Sequence, residues 1–117
     1  MRRTVLIVDD HGDFRASARA MLEGEGFRVV GEAADGSEAV RAAVSLAPDI
    51  VLLDVQLPGE DGFAVAERLA ATQRAPAVVL ISSRDAGAYG ARLAGAPACG
   101  FIPKWALSGA ALARLVG

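Results

Sequence analysis

Apolar residues gather into five short runs, at residues 5–8, 27–30, 50–53, 77–81 and 99–102, separated by longer stretches in which they recur every three to four positions. The runs have the length of strands, and the stretches between them have the period of helices buried on one side. Val5-Leu6-Ile7-Val8 and Ile50-Val51-Leu52-Leu53 are apolar without interruption. Strands of a parallel sheet covered on both faces need that pattern.

The spacing predicts a first helix through Phe14, Ala18, Met21 and Leu22, closing at Gly24 and Gly26. A second opens at Asp35-Gly36-Ser37, carries Ala39, Val40, Ala43, Val44 and Leu46, and stops before Pro48. The third starts near Asp61 and carries Phe63, Val65, Ala66 and Leu69. The fifth follows Lys104 with Leu107, Ala111, Leu112 and Leu115. The fourth, over residues 84–94, contains Gly87 and Gly90, each costing about 1 kcal/mol relative to Ala, so it is expected to be short or mobile. Alternating strands and helices imply a doubly wound α/β sandwich with right-handed crossovers.

At 117 residues the chain is expected to be one domain, 1–117, and at 53% hydrophobic and 22% charged it has the means to bury a core. A net charge of -2 argues against bulk electrostatic binding of nucleic acid or an anionic membrane. The apolar run at 5–8 ends in Asp9 and Asp10, too soon for a signal peptide or membrane span, and a cytoplasmic location is expected. The single cysteine, Cys99, excludes an internal disulfide or a multi-thiolate metal site. Its neighbours Ala98, Gly100 and Phe101 suggest a buried strand, so it is read as core.

In doubly wound sheets, ligands bind beyond the carboxyl ends of the strands. Asp9 and Asp10 follow the first strand, Asp54 the third, Ser82 ends the fourth, and Lys104 comes just after the fifth. Carboxylates, a hydroxyl and an ammonium gathered on one edge suit a hard cation and a phosphoryl group. Asp9 and Asp10 could instead be an acidic pair at a helix N-terminus, and Ser82 a helix-capping residue. Lys104 is the only lysine among basic residues that are otherwise all Arg, so a surface-charge role suits it poorly. His11 is read as loop decoration without catalysis, and Tyr89 and Leu93 as core or partner-face residues.

The motifs Val8-Asp9-Asp10-His11, Asp54 to Gly62, Ile81-Ser82-Ser83 and Phe101-Ile102-Pro103-Lys104 resemble those of response regulator receiver domains over essentially the whole chain. The resemblance implies a flavodoxin-like (βα)5 sandwich with strand order 2-1-3-4-5. It implies a two-component signalling switch that takes a phosphoryl group from a sensor histidine kinase or phosphotransfer protein onto Asp54. Mg²⁺, with Mn²⁺ able to replace it, would be held directly by Asp10 and Asp54, by Asp9 through a water, and by the backbone carbonyl of Gln56. Lys104 and Ser82 would bind the phosphoryl group, and Ser82 and Phe101 would carry the switch to the surface of helix 4, strand 5 and helix 5. Gln56 and Arg84 would border the hydrolytic water and tune dephosphorylation. Such a domain assists its own phosphorylation and dephosphorylation without being an enzyme in the usual sense. A homodimer through the switch surface is compatible with this picture, whereas direct nucleic-acid or membrane binding by this chain is not expected. Many receivers have proline with a cis bond where Trp105 stands, which leaves the geometry of that loop open.

The alternative is a pseudo-receiver, a partner-binding module that works without phosphorylation. An aspartyl-phosphate phosphatase of the haloacid dehalogenase type would need an acid two residues beyond Asp54, where Gln56 stands. A flavin or nucleotide module would need a phosphate-cradling glycine loop, where the loop after the first strand is acidic.

Overall fold

Each apolar run contributes a strand. The computed structural model describes residues 2–117. In it β1 (Thr4–Val8), β2 (Arg28–Ala33), β3 (Ile50–Asp54), β6 (Ala77–Ser82) and β7 (Gly100–Pro103) form one sheet in the order β2-β1-β3-β6-β7. Every pairing in it is parallel. The other two strands, β4 (Gln56–Leu57) and β5 (Glu60–Asp61), make a small antiparallel ribbon that the apolar pattern does not announce. With the ribbon set aside, the order is the expected 2-1-3-4-5 of a flavodoxin-like sheet.

Alternation along the strands divides the core in two, because successive side chains point to opposite faces. Leu6 and Val8, Val51 and Leu53, and Val78 and Leu80 face one side, where α2 (Gly36–Leu46) and α3 (Gly62–Ala70) pack through Ala39, Ala43, Phe63, Val65, Ala66 and Leu69. Val5 and Ile7, Ile50 and Leu52, and Val79 and Ile81 face the other, under α1 (Gly12–Gly24) and α5 (Gly109–Val116). Both faces are covered, which is why the central strands β1, β3 and β6 carry no polar alternation, whereas the edge strand β2 exposes Arg28 and Glu32. Asp35, Asp61 and Ser108 accept hydrogen bonds from the backbone N–H groups of Glu38, Ala64 and Ala111, capping α2, α3 and α5. Those caps fix where each helix begins after its strand-end loop.

The fourth helix is short, as the two glycines suggest. The stretch expected at 84–94 divides into a 3₁₀ turn at Ala86–Ala88 and a five-residue helix α4 (Ala91–Gly95), with Gly90 at φ 54° between them. Tyr89 and Leu93 pack against the α2–α3 core cluster from this segment, in keeping with the core reading.

Cys99 departs from expectation: it is exposed, not buried. It lies one residue before the edge strand β7. The alternation through Phe101 aims it at the side that α4 would have to cover, and α4 is too short to do so. The Lys104–Trp105 loop is also resolved: there is no cis peptide among the described residues, and Lys104–Ala106 forms a 3₁₀ turn with Trp105 exposed.

Candidate functional site

Strand alternation sorts the polar strand ends as it sorts the core. Continuing the face of Val5 and Ile7 brings Asp9 to the α1–α5 side, and Ile50 and Leu52 bring Asp54 there as well. Ile102 does the same for Lys104. Ser82 and Phe101 share the parity of Leu80 and face the opposite side, toward α4. Sheet register brings the ends level, with Asp54 opposite Ile81 and Ser82 opposite Pro103.

Asp9 and Asp54 are buried, and so is Ser82. Lys104 Nζ lies 2.5 Å from Asp9 Oδ2 and 3.2 Å from Asp54 Oδ2. The contact to Asp54 is a hydrogen bond. The contact to Asp9 Oδ2 is an ion pair, and among the described residues that oxygen accepts no hydrogen bond. Phe14 of α1 flanks the ammonium, with its ring centroid 4.5 Å from Nζ. Asp9 Oδ1 accepts from the His11 backbone N–H at 2.8 Å, and Asp54 Oδ1 from the Gln56 backbone N–H at 3.0 Å. Each carboxylate is thus fixed by a backbone donor two residues on.

The charges are unevenly compensated. Burial would raise the pKa of Asp9, but Lys104 and the His11 N–H outweigh it and hold the group below its ordinary value. At Asp54 burial prevails over the Gln56 N–H and Lys104, and the nearby Asp9 charge adds to it, so its pKa is raised. Burial acts to lower the pKa of Lys104, but its two carboxylate partners raise it. The two buried carboxylates thus share a single ammonium.

Asp10 and His11 stand at the mouth of this pocket, both exposed. His11 Nδ1 is 3.1 Å from a carboxylate oxygen of each of Asp9 and Asp10. One donor atom from each of Asp9, Asp10, His11 and Asp54 can be chosen so that all lie within 4.8 Å of one another. Carboxylates in that number facing one ammonium fit a hard divalent cation, so the residues present suit a metal. His11, set aside as loop decoration on sequence grounds, is part of this cluster.

The remaining expected site residues lie around it. Gln56 is exposed and pairs with Asp61 in the β4–β5 ribbon. The Arg84 side chain is exposed, and the residue is tied to the site by its backbone N–H, which donates to Ser82 Oγ at 3.0 Å. Phe101 is half-buried and packs beside Tyr89, their ring centroids 5.9 Å apart.

Three contributors escape sequence reasoning. Arg15 of α1 donates to the Asp9 backbone carbonyl at 2.6 Å while also pairing with Glu32, and so braces the loop after β1. Gly62 donates to the Val55 carbonyl at 2.6 Å, and a Cβ there would lie 2.7 Å from Val55 Cα and closer still to the Asp54 carbonyl oxygen. Only glycine lets α3 start this near the strand end that carries Asp54. Tyr89 is the third: its hydroxyl shares a 2.5 Å hydrogen bond with Ser82 Oγ. No spacing rule could have found these, except that Gly62 closes the motif that opens at Asp54.

Residues 5–115 match the family model of the response regulator receiver domain. The chain is 42% identical over 95 residues to the transcriptional regulatory protein PdtaR of Mycobacterium tuberculosis, covering 74% of this chain and 46% of that one. It is 34% identical over 99 residues to the DNA-binding transcriptional activator EvgA of Escherichia coli, covering 85% and 48%. The chain spans about half the length of these relatives. Among solved structures, a two-component response regulator of the LuxR family from Aurantimonas sp. SI85-9A1 superposes with a TM-score of 0.85 at 30% identity, covering 97% of this chain and 81% of that one. The signal receiver domain of a modulated diguanylate cyclase from Desulfovibrio desulfuricans G20 does so with a TM-score of 0.84 at 33% identity, covering 99% and 91%. Sheet order, acidic strand ends and these matches agree, and the chain belongs to the response regulator receiver domains.

Proposed function

We propose that residues 1–117 work as a single phosphorylation-activated switch of a two-component system, with Asp54 as the phosphoacceptor. Phosphorylation-dependent switching is the general function of the family, and one observation supports assigning it to this residue: the Lys104 ammonium bridges two buried carboxylates, 2.5 Å from Asp9 and 3.2 Å from Asp54. A merely structural ion pair would need only one of them.

The donor is a phosphohistidine on a sensor histidine kinase or a phosphotransfer protein. An Asp54 carboxylate oxygen attacks its phosphorus, the bond from phosphorus to the donor imidazole breaks, and the electron pair stays on the imidazole nitrogen. The Gln56 N–H holds the rotation of the Asp54 carboxylate for this attack. Lys104 moves from Asp54 Oδ2 to a phosphoryl oxygen, where its charge stabilises the transferring group. Asp10 and Asp54 would hold Mg²⁺ directly, Asp9 through water, and the Gln56 backbone carbonyl would add a further oxygen, with Mn²⁺ suited to the same oxygens. The bound cation supplies neutralisation of clustered carboxylate and phosphoryl charge.

Phosphorylated Asp54 presents new acceptor oxygens to the Ser82 hydroxyl. Movement of Ser82, and of Phe101 beside it, alters the face formed by α4, β7 and α5. Gln56 and Arg84, both exposed at the rim, tune how readily water removes the phosphoryl group.

Intact-mass spectrometry after incubation with acetyl phosphate and Mg²⁺ tests this reading. The expected result is one phosphoryl adduct on the wild type, none on Asp54→Asn and none in EDTA. No adduct with acetyl phosphate or with a phosphorylated kinase would leave a pseudo-receiver.

A further inference from the structure

We propose that Tyr89 is the latch of the switch, holding Ser82 through its hydroxyl in the unphosphorylated state and releasing it when Asp54 is phosphorylated. The inference rests on Asp54 being the phosphoacceptor and adds a residue to that mechanism.

The observation is the 2.5 Å hydrogen bond between Ser82 Oγ and the Tyr89 hydroxyl. Ser82 is fully buried, and a hydroxyl offers one proton and two lone pairs. One lone pair already accepts the Arg84 N–H. Strand parity puts Ser82 on the α4 side of the sheet, toward Tyr89, while Asp54 lies on the α1–α5 side. Phosphoryl oxygens only accept hydrogen bonds, so Ser82 must aim its proton at them. That requires Oγ to turn away from the face on which Tyr89 holds it. The two contacts therefore exclude each other, and a contact made in only one state biases the equilibrium between states.

Tyr89 is placed to transmit the exchange. Its ring sits between Phe63 of α3, at 5.7 Å, and Phe101 of β7, at 5.9 Å. It stands between the 3₁₀ turn Ala86–Ala88 and Gly90 at φ 54°, on the least regular segment flanking the site. Phe101 has no hydroxyl to offer, so the polar end of this aromatic cluster comes from Tyr89 alone. Once Ser82 leaves, the phenol needs another partner, and the half-buried side chain finds water by moving outward together with the turn and α4.

Tyr89 is the only tyrosine in the chain, so a label on its ring carbon bearing oxygen gives one resonance. The experiment uses the full chain carrying that label, as wild type and Tyr89→Phe, titrated with beryllofluoride in Mg²⁺ as the phosphoryl analogue. The latch predicts that the wild-type tyrosine resonance moves to the solvated-phenol position on saturation. It also predicts that Tyr89→Phe, which keeps the ring packing, binds the analogue roughly 2- to 10-fold more tightly, the worth of one hydrogen bond lost from the free state. A tyrosine resonance that stays put on saturation overturns the proposal, as does unchanged or weaker binding by Tyr89→Phe. In those outcomes the wild type still binds, and the receiver reading stands. Failure of the wild type to bind the analogue or to accept phosphate from acetyl phosphate would overturn both.

Discussion

Lys104 Nζ stands 2.5 Å from Oδ2 of Asp9, nearer than it stands to the proposed phosphoacceptor. The lysine thus acts as an internal counter-ion to both carboxylates. Replacing it by methionine leaves two buried carboxylates facing each other without a cation. Lys104→Met is expected to lose about 2–3 kcal/mol of stability in EDTA, somewhat below a fully buried pair because the lysine side chain keeps 18% exposure. Mg²⁺ should then restore more stability to the variant than it adds to the wild type. Urea titrations with and without Mg²⁺ measure both, and equal increments would mean that lysine and cation do not share the same carboxylates.

Gly62 and Gly87 make opposite predictions from the same kind of substitution. A Cβ at Gly62 meets backbone at Asp54 and Val55, which cannot swing aside, whereas no atom of the described residues lies within 4 Å of one at Gly87. Gly62→Ala should cost about 1–3 kcal/mol by overpacking. It should also slow phosphorylation by acetyl phosphate, because the Asp54 backbone has to shift. Gly87→Ala should leave stability unchanged or raise it by about 0.4–1 kcal/mol through the unfolded chain. Equal stability and phosphorylation rates in the two variants would remove the case for Gly62 as a spacer under Asp54.

These glycines also mark how far the sequence could be followed. Strand positions were legible because each strand leaves a short apolar run, uninterrupted where both faces are buried, whereas the sheet order came only with the resemblance to receiver domains; Asp9, Asp54, Ser82 and Lys104 were legible because each terminates or follows a run. The division of labour between faces was not, since it depends on the parity of each strand end. Asp9, Asp54 and Lys104 meet on one side, and Ser82 looks out on the other. Tyr89 escaped for a related reason: its hydroxyl reaches Ser82 only because the helix expected at 84–94 breaks into a turn and five helical residues.

Arg92 ties that broken segment to α3, 2.6 Å from Asp61 Oδ2 and with its guanidinium 4.3 Å from the Phe63 ring centroid. The Arg92 hydrogen bond and the Ala64 N–H hold the pKa of Asp61 below its ordinary value of 3.8. A carboxylate with a depressed folded pKa contributes stability that is present above the unfolded value and lost as pH falls through the folded one. Asp61→Asn keeps an oxygen for the Ala64 N–H but loses the ion pair. At pH 6 and low salt it should be about 0.2–1 kcal/mol less stable than the wild type, modest because both side chains are well exposed. The gap should close below pH 3.8 and shrink with added salt. Chemical denaturation at several pH values checks this, and a gap independent of both pH and salt would assign the loss to the cap.

Cys99 offers a direct test of how the edge of the sheet is covered. Its side chain is exposed because β7 is an edge strand and α4 stops short of it. A thiol reagent should therefore modify Cys99 fully in the folded protein without denaturant. Cys99→Ser should change stability by no more than about 0.5 kcal/mol, as for other surface positions. A thiol that reacts only after unfolding would return it to the core. If it reacts, the site gains a use, because Cys99 lies two residues before Phe101 on the flank expected to move. A fluorophore attached there should change emission when beryllofluoride and Mg²⁺ bind. An unchanged signal in a protein shown by mass to accept phosphate would confine the switch to the far end of β7.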